Sequence, residues 1–214
     1  MKPKIDYTLY LVTDREIMTS KSIEECVEQA VLGGSTIVQL REKTASSREF
    51  YETALKVREV TCKFNVPLII NDRVDIALAV NADGVHVGQE DLHCETVRRI
   101  VYQDKIVGVS VSDLSESLVA VEAGADYLGI GAMFATDTKK NANIVGVDEL
   151  KKIREKVNIP IVVIGGINKS TVPFFKGTGI DGIAVVLAII AQSDVKKSAE
   201  ELKEMFQKCR FREN

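Results

Sequence analysis

Runs of β-branched and aliphatic residues recur through the chain at 7–13, 36–41, 68–71, 84–87, 106–111, 127–131, 161–164 and 182–186. Each is too short for a helix and is bounded by turn-forming residues, so the pattern predicts eight strands. Between them the apolar positions shift to helical spacing, as at Ile23, Cys26, Val27, Ala30 and Val31 and again at Leu118, Val121, Glu122 and Ala125. Several of these helices carry stop signals with a mechanism. The glycines of LGGS at 32–35 and EAGAD at 122–126 suit a left-handed cap, and VPLII and IPIVV place a proline just before the next strand.

Strand and helix therefore alternate from end to end. Eight units in 214 residues leave about 27 residues for each, which predicts one α/β domain over 1–214, a compact (β/α)8 TIM barrel without a linker. An open doubly wound sheet shares the alternation. It is disfavoured because no GxGxxG follows the first strand and eight strands exceed most open sheets of this length. The interval between the third and fourth strands admits a helix of little more than two turns. From about 193 the chain reads as a closing helix with a short polar tail, KCRFREN.

Composition narrows the chemistry. Lys and Arg number 28 against 31 Asp and Glu, a net charge of −3, and no dense basic block lies outside the C-terminal end, so nucleic-acid binding has no electrostatic footprint. The longest apolar run, 183–191, is well short of the roughly 20 residues that span a bilayer, which argues against a membrane protein. Cys26, Cys62, Cys94 and Cys209 form no CxxC pair, and the N-terminal segment has no apolar signal core, so a reducing, cytoplasmic setting is expected.

The strand ends carry the candidate chemistry. In the second strand Gln39, Arg41 and Lys43 share one parity, and Val38 and Leu40 the other. In a barrel the apolar set meets the helices and the polar set faces the C-terminal mouth, where barrel enzymes keep their active sites. Three such groups in succession either form a salt-bridged, solvated rim or, being costly to bury without an anion, bind one. The next strands end in Asn71-Asp72-Arg73 and Gly88-Gln89-Glu90-Asp91. Asp72 and Asp91 are placed to hold Mg2+ jointly, to cap the helices that follow, or to do both. The loop with Thr136, Thr138 and Lys139 suits phosphate, or is an ordinary polar loop. Gly165-Gly166 and Val186-Leu187 follow the last two strands, where barrels frequently bind phosphate through backbone N–H groups; the glycines equally suit close packing. His86 reads as a core or rim histidine rather than a base, and His93 as a surface-helix residue. The absence of any Ser-His-Asp, Cys-His or HExxH arrangement disfavours covalent catalysis.

Seven blocks together carry a family resemblance: LYLVTD at 9–14, VQLREK at 38–43, IINDRVDIAL at 69–78, ADGVHVGQEDL at 82–92, GVSV at 108–111, TDTKKNA at 136–142 and VVIGGI at 162–167. In order over nearly the whole chain, they resemble thiamine-phosphate synthase. The resemblance implies a TIM-barrel transferase that joins a pyrimidine-methyl diphosphate to a thiazole phosphate, or its carboxylated form, with release of diphosphate. It implies that Gln39, Leu40, Arg41, Glu42, Lys43, Asn71, Ser110 and Lys139 bind the pyrimidine diphosphate, with Arg41, Lys43, Ser110 and Lys139 catalytic. By the same resemblance Asp72 and Asp91 hold Mg2+, while Thr136, Asp137, Thr138, Gly166, Val186 and Leu187 bind the thiazole phosphate. The chain departs from the family's usual pattern at Ala132 and Ala135, where proline is usual, and at Leu187, where serine is usual.

The inventory suits the implied chemistry. Departure of diphosphate leaves a stabilised cation that the thiazole nitrogen attacks, so no protein nucleophile is required, and cations that neutralise the leaving group suffice. Two rivals stand beside this reading, a thiazole tautomerase with His86 or His93 as base and a non-catalytic barrel that binds a phosphate ligand. A homo-oligomer is left open.

Overall fold

The computed structural model describes residue 2 and residues 4–20, 22–135 and 144–211. The strands are β1 (Leu9–Val12), β2 (Ile37–Leu40), β3 (Leu68–Asn71), β4 (Gly84–Val87), β5 (Ile106–Val111), β6 (Tyr127–Ile130), β7 (Ile161–Val163) and β8 (Gly182–Val185). Every neighbouring pair is parallel, and β1 also pairs with β8, with Tyr10 opposite Ala184, so the sheet closes into a barrel. All eight expected strands form at the expected places, and closure excludes the open sheet.

The helices are α1 (Ile23–Leu32), α2 (Ser47–Lys63), α3 (Val74–Ala79), α4 (Cys94–Ile100), α5 (Leu114–Glu122), α6 (Val147–Lys156), α7 (Leu187–Ile190) and α8 (Val195–Phe211), with a 3-10 turn (Val172–Phe175) between β7 and β8. The helix α1 buries Ile23, Cys26, Val27 and Ala30, the face its spacing predicts, and the chain leaves it at Gly34, whose φ of 99° an L side chain rarely adopts. Three expectations are corrected. The helix α3 has only six residues, fewer than two turns. In α5 the buried positions are Ser117 and Ala120, while Leu118 is exposed. Its sequence LSESLVAVE is apolar on nearly every side in its second half, so spacing does not define a face there; packing against the strands selects the small residues. Lys208 to Arg210, expected in the polar tail, belong to α8.

Strand alternation divides two cores. Leu9, Leu11, Val38, Leu40, Leu68 and Ile70 pack outward against the helices. Tyr10, Val12, Ile37, Ile69, Ile106, Tyr127, Val162 and Ala184 fill the barrel. The interior accommodates large rings by alternating them with glycine: a Cβ at Gly108 would lie 2.1 Å from the ring of Tyr127.

At the N-terminal rim one device occurs three times. Asp83, Asp126 and Asp181 each precede an even-numbered strand and accept from the backbone N–H of Leu68, Val107 and Ile161, at 2.8, 2.8 and 2.9 Å. Each carboxylate also pairs with an arginine from the helix before that strand or the one preceding it in the ring: Arg58 of α2, Arg98 of α4 and Arg154 of α6. The lower end of the barrel is thus held by paired, hydrogen-bonded charges, and the upper end is left for chemistry.

Candidate active site

The polar residues of one parity in β2 emerge where that strand ends at the C-terminal mouth. Gln39 is buried inside the barrel, and its Nε2 donates to the Tyr10 hydroxyl at 3.0 Å. Leu40 points the other way and is fully buried in the outer core, so only its backbone is available at the mouth. Arg41 is anchored twice: its backbone N–H donates to Thr13 Oγ1 at 3.0 Å and its Nη1 donates to Asp14 Oδ2 at 2.8 Å. Glu42 turns aside to Arg15, with which it shares two hydrogen bonds of 3.1 and 3.2 Å. A groove beside Glu42, lined by Arg15, Glu49, Glu52 and Lys56, lies along α2 rather than over the mouth.

Lys43 reaches across to the end of β3, where its Nζ donates to Asp72 Oδ2 at 2.6 Å. Asp72 adopts a φ of 60°, and its backbone N–H donates to the His86 carbonyl at 2.8 Å. Asp91 accepts from the Gly88 N–H at 2.8 Å. Burial pushes the Asp91 carboxyl up, the Gly88 N–H holds it down, and the neighbouring Asp72 carboxylate raises it again. Neither aspartate is a helix cap, because α3 begins from Arg73 and α4 from His93. Two carboxylates set side by side, with a lysine already drawn in, form a donor set that fits a hard divalent cation.

On β5, Ser110 Oγ lies 2.8 Å from His86 Nε2, and the Gln89 side chain donates to the Ser110 carbonyl at 2.7 Å. His86 is a core histidine: burial pushes its imidazole down to about 4, offset only in part by Asp91, so the ring is neutral at neutral pH. His93 stands exposed at the start of α4 rather than within it. Asn71 closes β3 with its side chain buried, opposite His86 in the register.

On the far side, Gly165 and Gly166 both have positive φ, 93° and 68°. A Cβ on either would press within 2.6 Å of Ala132 or Phe134, so close packing against the β6 loop requires glycine here. The Gly166 carbonyl accepts from Asn168 and Thr171. Val186 precedes α7 and the half-buried Leu187 opens it, the short helical turn expected after β8. Thr136, Asp137, Thr138 and Lys139 lie outside the described residues.

Sequence reasoning missed Asp14, Gln89, Tyr10 and Tyr127 as supports of this site. Asp14 was the most accessible, since it continues the inward parity of Tyr10 and Val12 past the end of β1.

A closed parallel barrel with cations, carboxylates and a hydroxyl gathered at one mouth defines the class, a (β/α)8 barrel enzyme with its chemistry at the C-terminal ends of the strands. The profile of the thiamine monophosphate synthase family matches residues 9–189, and the chain belongs to that family of transferases. It is 60% identical over 206 residues to the thiamine-phosphate synthase of Clostridium beijerinckii, covering 96% of this chain and 99% of that protein. To the thiamine-phosphate synthase of Alkaliphilus oremlandii it is 55% identical, over 93% of this chain and 95% of that one. The solved thiamine phosphate pyrophosphorylase from Pyrococcus furiosus superposes with a TM-score of 0.88 at 43% identity, covering 95% and 97% of the two chains.

Proposed function

We propose that this chain joins a pyrimidine-methyl diphosphate to a thiazole phosphate, forming thiamine phosphate and releasing diphosphate. In the step, the C–O bond to the diphosphate breaks with its electron pair leaving on oxygen, and the thiazole nitrogen lone pair forms the new C–N bond. The observation that carries this reading is the convergence of Lys43, Asp72 and Asp91 from three adjacent strand ends.

Arg41, Lys43 and Ser110, with Lys139 by family resemblance, would bind the diphosphate and neutralise the charge that grows on it, while Gln39 and Asn71 orient the pyrimidine end. Leu40 and Glu42 contribute through the backbone, since their side chains face elsewhere. Thr136, Asp137 and Thr138, with the backbone at Gly166, Val186 and Leu187, would hold the thiazole phosphate. Asp72 and Asp91 would hold Mg2+, which when bound supplies charge neutralisation at the phosphate oxygens. The barrel supplies proximity, which turns a two-substrate encounter into an aligned pair.

The tautomerase alternative needs a general base at the mouth. Both nitrogens of His86 are engaged by hydroxyls inside the barrel, and His93 stands outside it. Among the described residues no helix is long and apolar enough to cross a membrane. All four cysteines are free, which suits a reducing cytoplasm.

The test supplies the purified protein with both substrates and Mg2+, with an EDTA control. Thiamine phosphate and diphosphate should appear together and only with metal. If thiazole phosphate binds and neither product forms, the coupling reading is overturned.

A further inference from the structure

Five polar side chains form one continuous hydrogen-bonded chain through the barrel. Gln39 Nε2 donates to the Tyr10 hydroxyl at 3.0 Å, the Tyr10 and Tyr127 hydroxyls are 2.7 Å apart, and Tyr127 lies 2.8 Å from His86 Nδ1. The last link joins His86 Nε2 to Ser110 Oγ at 2.8 Å. The two ends, Gln39 and Ser110, are the residues proposed above to meet the substrate; Tyr10, Tyr127 and His86 are buried.

With the Gln39 amide as the donor at one end, counting protons selects one direction for the chain. Each hydroxyl carries one proton, and a neutral imidazole carries one N–H. Because the Gln39 amide donates, the Tyr10 oxygen accepts and its proton goes to Tyr127. Tyr127 in turn gives its proton to Nδ1, so the ring proton sits on Nε2 and is donated to Ser110 Oγ. The Ser110 proton then has no acceptor within the chain and is directed to the mouth. In the opposite direction Nε2 would consume that proton, and the hydroxyl would offer only lone pairs to an anion.

We infer that Tyr127 and His86 are positioning residues that polarise Ser110, so that its hydroxyl donates to the diphosphate of the substrate. The inference rests on the proposed place of Ser110 at that diphosphate. It gives a function to a buried polar chain that an apolar interior would otherwise replace at no loss of packing.

Two readouts test it. The chain contains only two histidines, so ring-15N labelling yields two imidazole patterns, and His93→Gln assigns them. His86 should carry its proton on Nε2; a proton on Nδ1, read on the unaltered protein once the two patterns are assigned, overturns the inferred direction. In kinetics, Tyr127→Phe should raise KM for the pyrimidine diphosphate about tenfold, the scale of one hydrogen bond to a charged group, with a smaller change in kcat. Tyr10→Phe, one link further away, should act in the same sense. In a Ser110→Ala background the Tyr127→Phe effect should vanish, and a loss of equal size in both backgrounds would show that the ring only fills space and overturn the inference. If Ser110→Ala leaves KM unchanged while the tautomer is Nε2–H, the placement of Ser110 at the diphosphate fails and takes the inference with it. A Nδ1–H tautomer with a sensitive Ser110 defeats the inferred direction alone.

Discussion

Single side chains at the mouth matter through what their charges meet. Lys139 is proposed, from the family resemblance alone, to neutralise the departing diphosphate. Lys139→Ala should therefore lose on the order of 3 kcal/mol of transition-state stabilisation, expressed mainly in kcat. Steady-state kinetics at saturating substrates checks this, and an unchanged kcat removes Lys139 from the mechanism. His86 makes a second prediction at this scale. Its imidazole titrates at an ordinary 6.5 in the unfolded chain and is pushed down to about 4 by burial in the fold. The unfolded chain binds that proton first, so the contribution is complete above 6.5 and is lost as pH falls toward 4. The total is about 3 kcal/mol. Urea unfolding measured between pH 7 and 4 should show stability falling across this window, and His86→Gln should flatten that part of the profile.

Elements present these side chains, and their termini set how firmly they do so. The helix α2 follows the Lys43 loop and opens with a complete capping box: Ser46 accepts from the Glu49 N–H, and the Glu49 carboxylate accepts from the Ser46 N–H. Hydrogen bonds from Ser46 hold the Glu49 carboxyl below the usual carboxylate range. Ser46→Ala should cost about 1 kcal/mol, visible as a lower urea midpoint with an unchanged m-value. In α5 the Asp113 side chain caps the Glu116 N–H and fixes where the helix starts, leaving Ser117 and Ala120 toward the strands.

Over the whole molecule, stability and chemistry are assigned to opposite ends of the barrel. The threefold clamp at the N-terminal rim ties odd strands to even strands and to the outer helices. Arg98 is its most committed member, since it pairs with Asp126 and donates to the carbonyls of Gly124 and Lys105 at 2.8 Å each. Arg98→Met leaves two carbonyls without their donor and Asp126 with only Lys2 and the Val107 N–H, and should destabilise the fold by about 2 kcal/mol. Because the mouth is at the other end, KM for both substrates should remain as in the unaltered protein. A changed KM with unchanged stability would contradict this division of labour.

Local physics was enough for the strands, the inward set of Gln39, Arg41 and Lys43, and the two rim aspartates, because alternation and turn chemistry depend on residues a few positions apart. The sequence alone could not separate caps from metal ligands at Asp72 and Asp91, nor find the buried face of α5, where apolar residues lie on nearly every side. Tertiary structure showed that neither aspartate caps a helix, which residues of α5 are buried, and what the inward polar groups meet. Arg41 meets Asp14 across 27 positions, His86 meets Tyr127 across 41, and Tyr10 meets Tyr127 across 117. Periodicity states which way a side chain points. Only closure of the barrel, which brings β1 beside β8 and sets Tyr10 against Tyr127 in its interior, determines what it meets there.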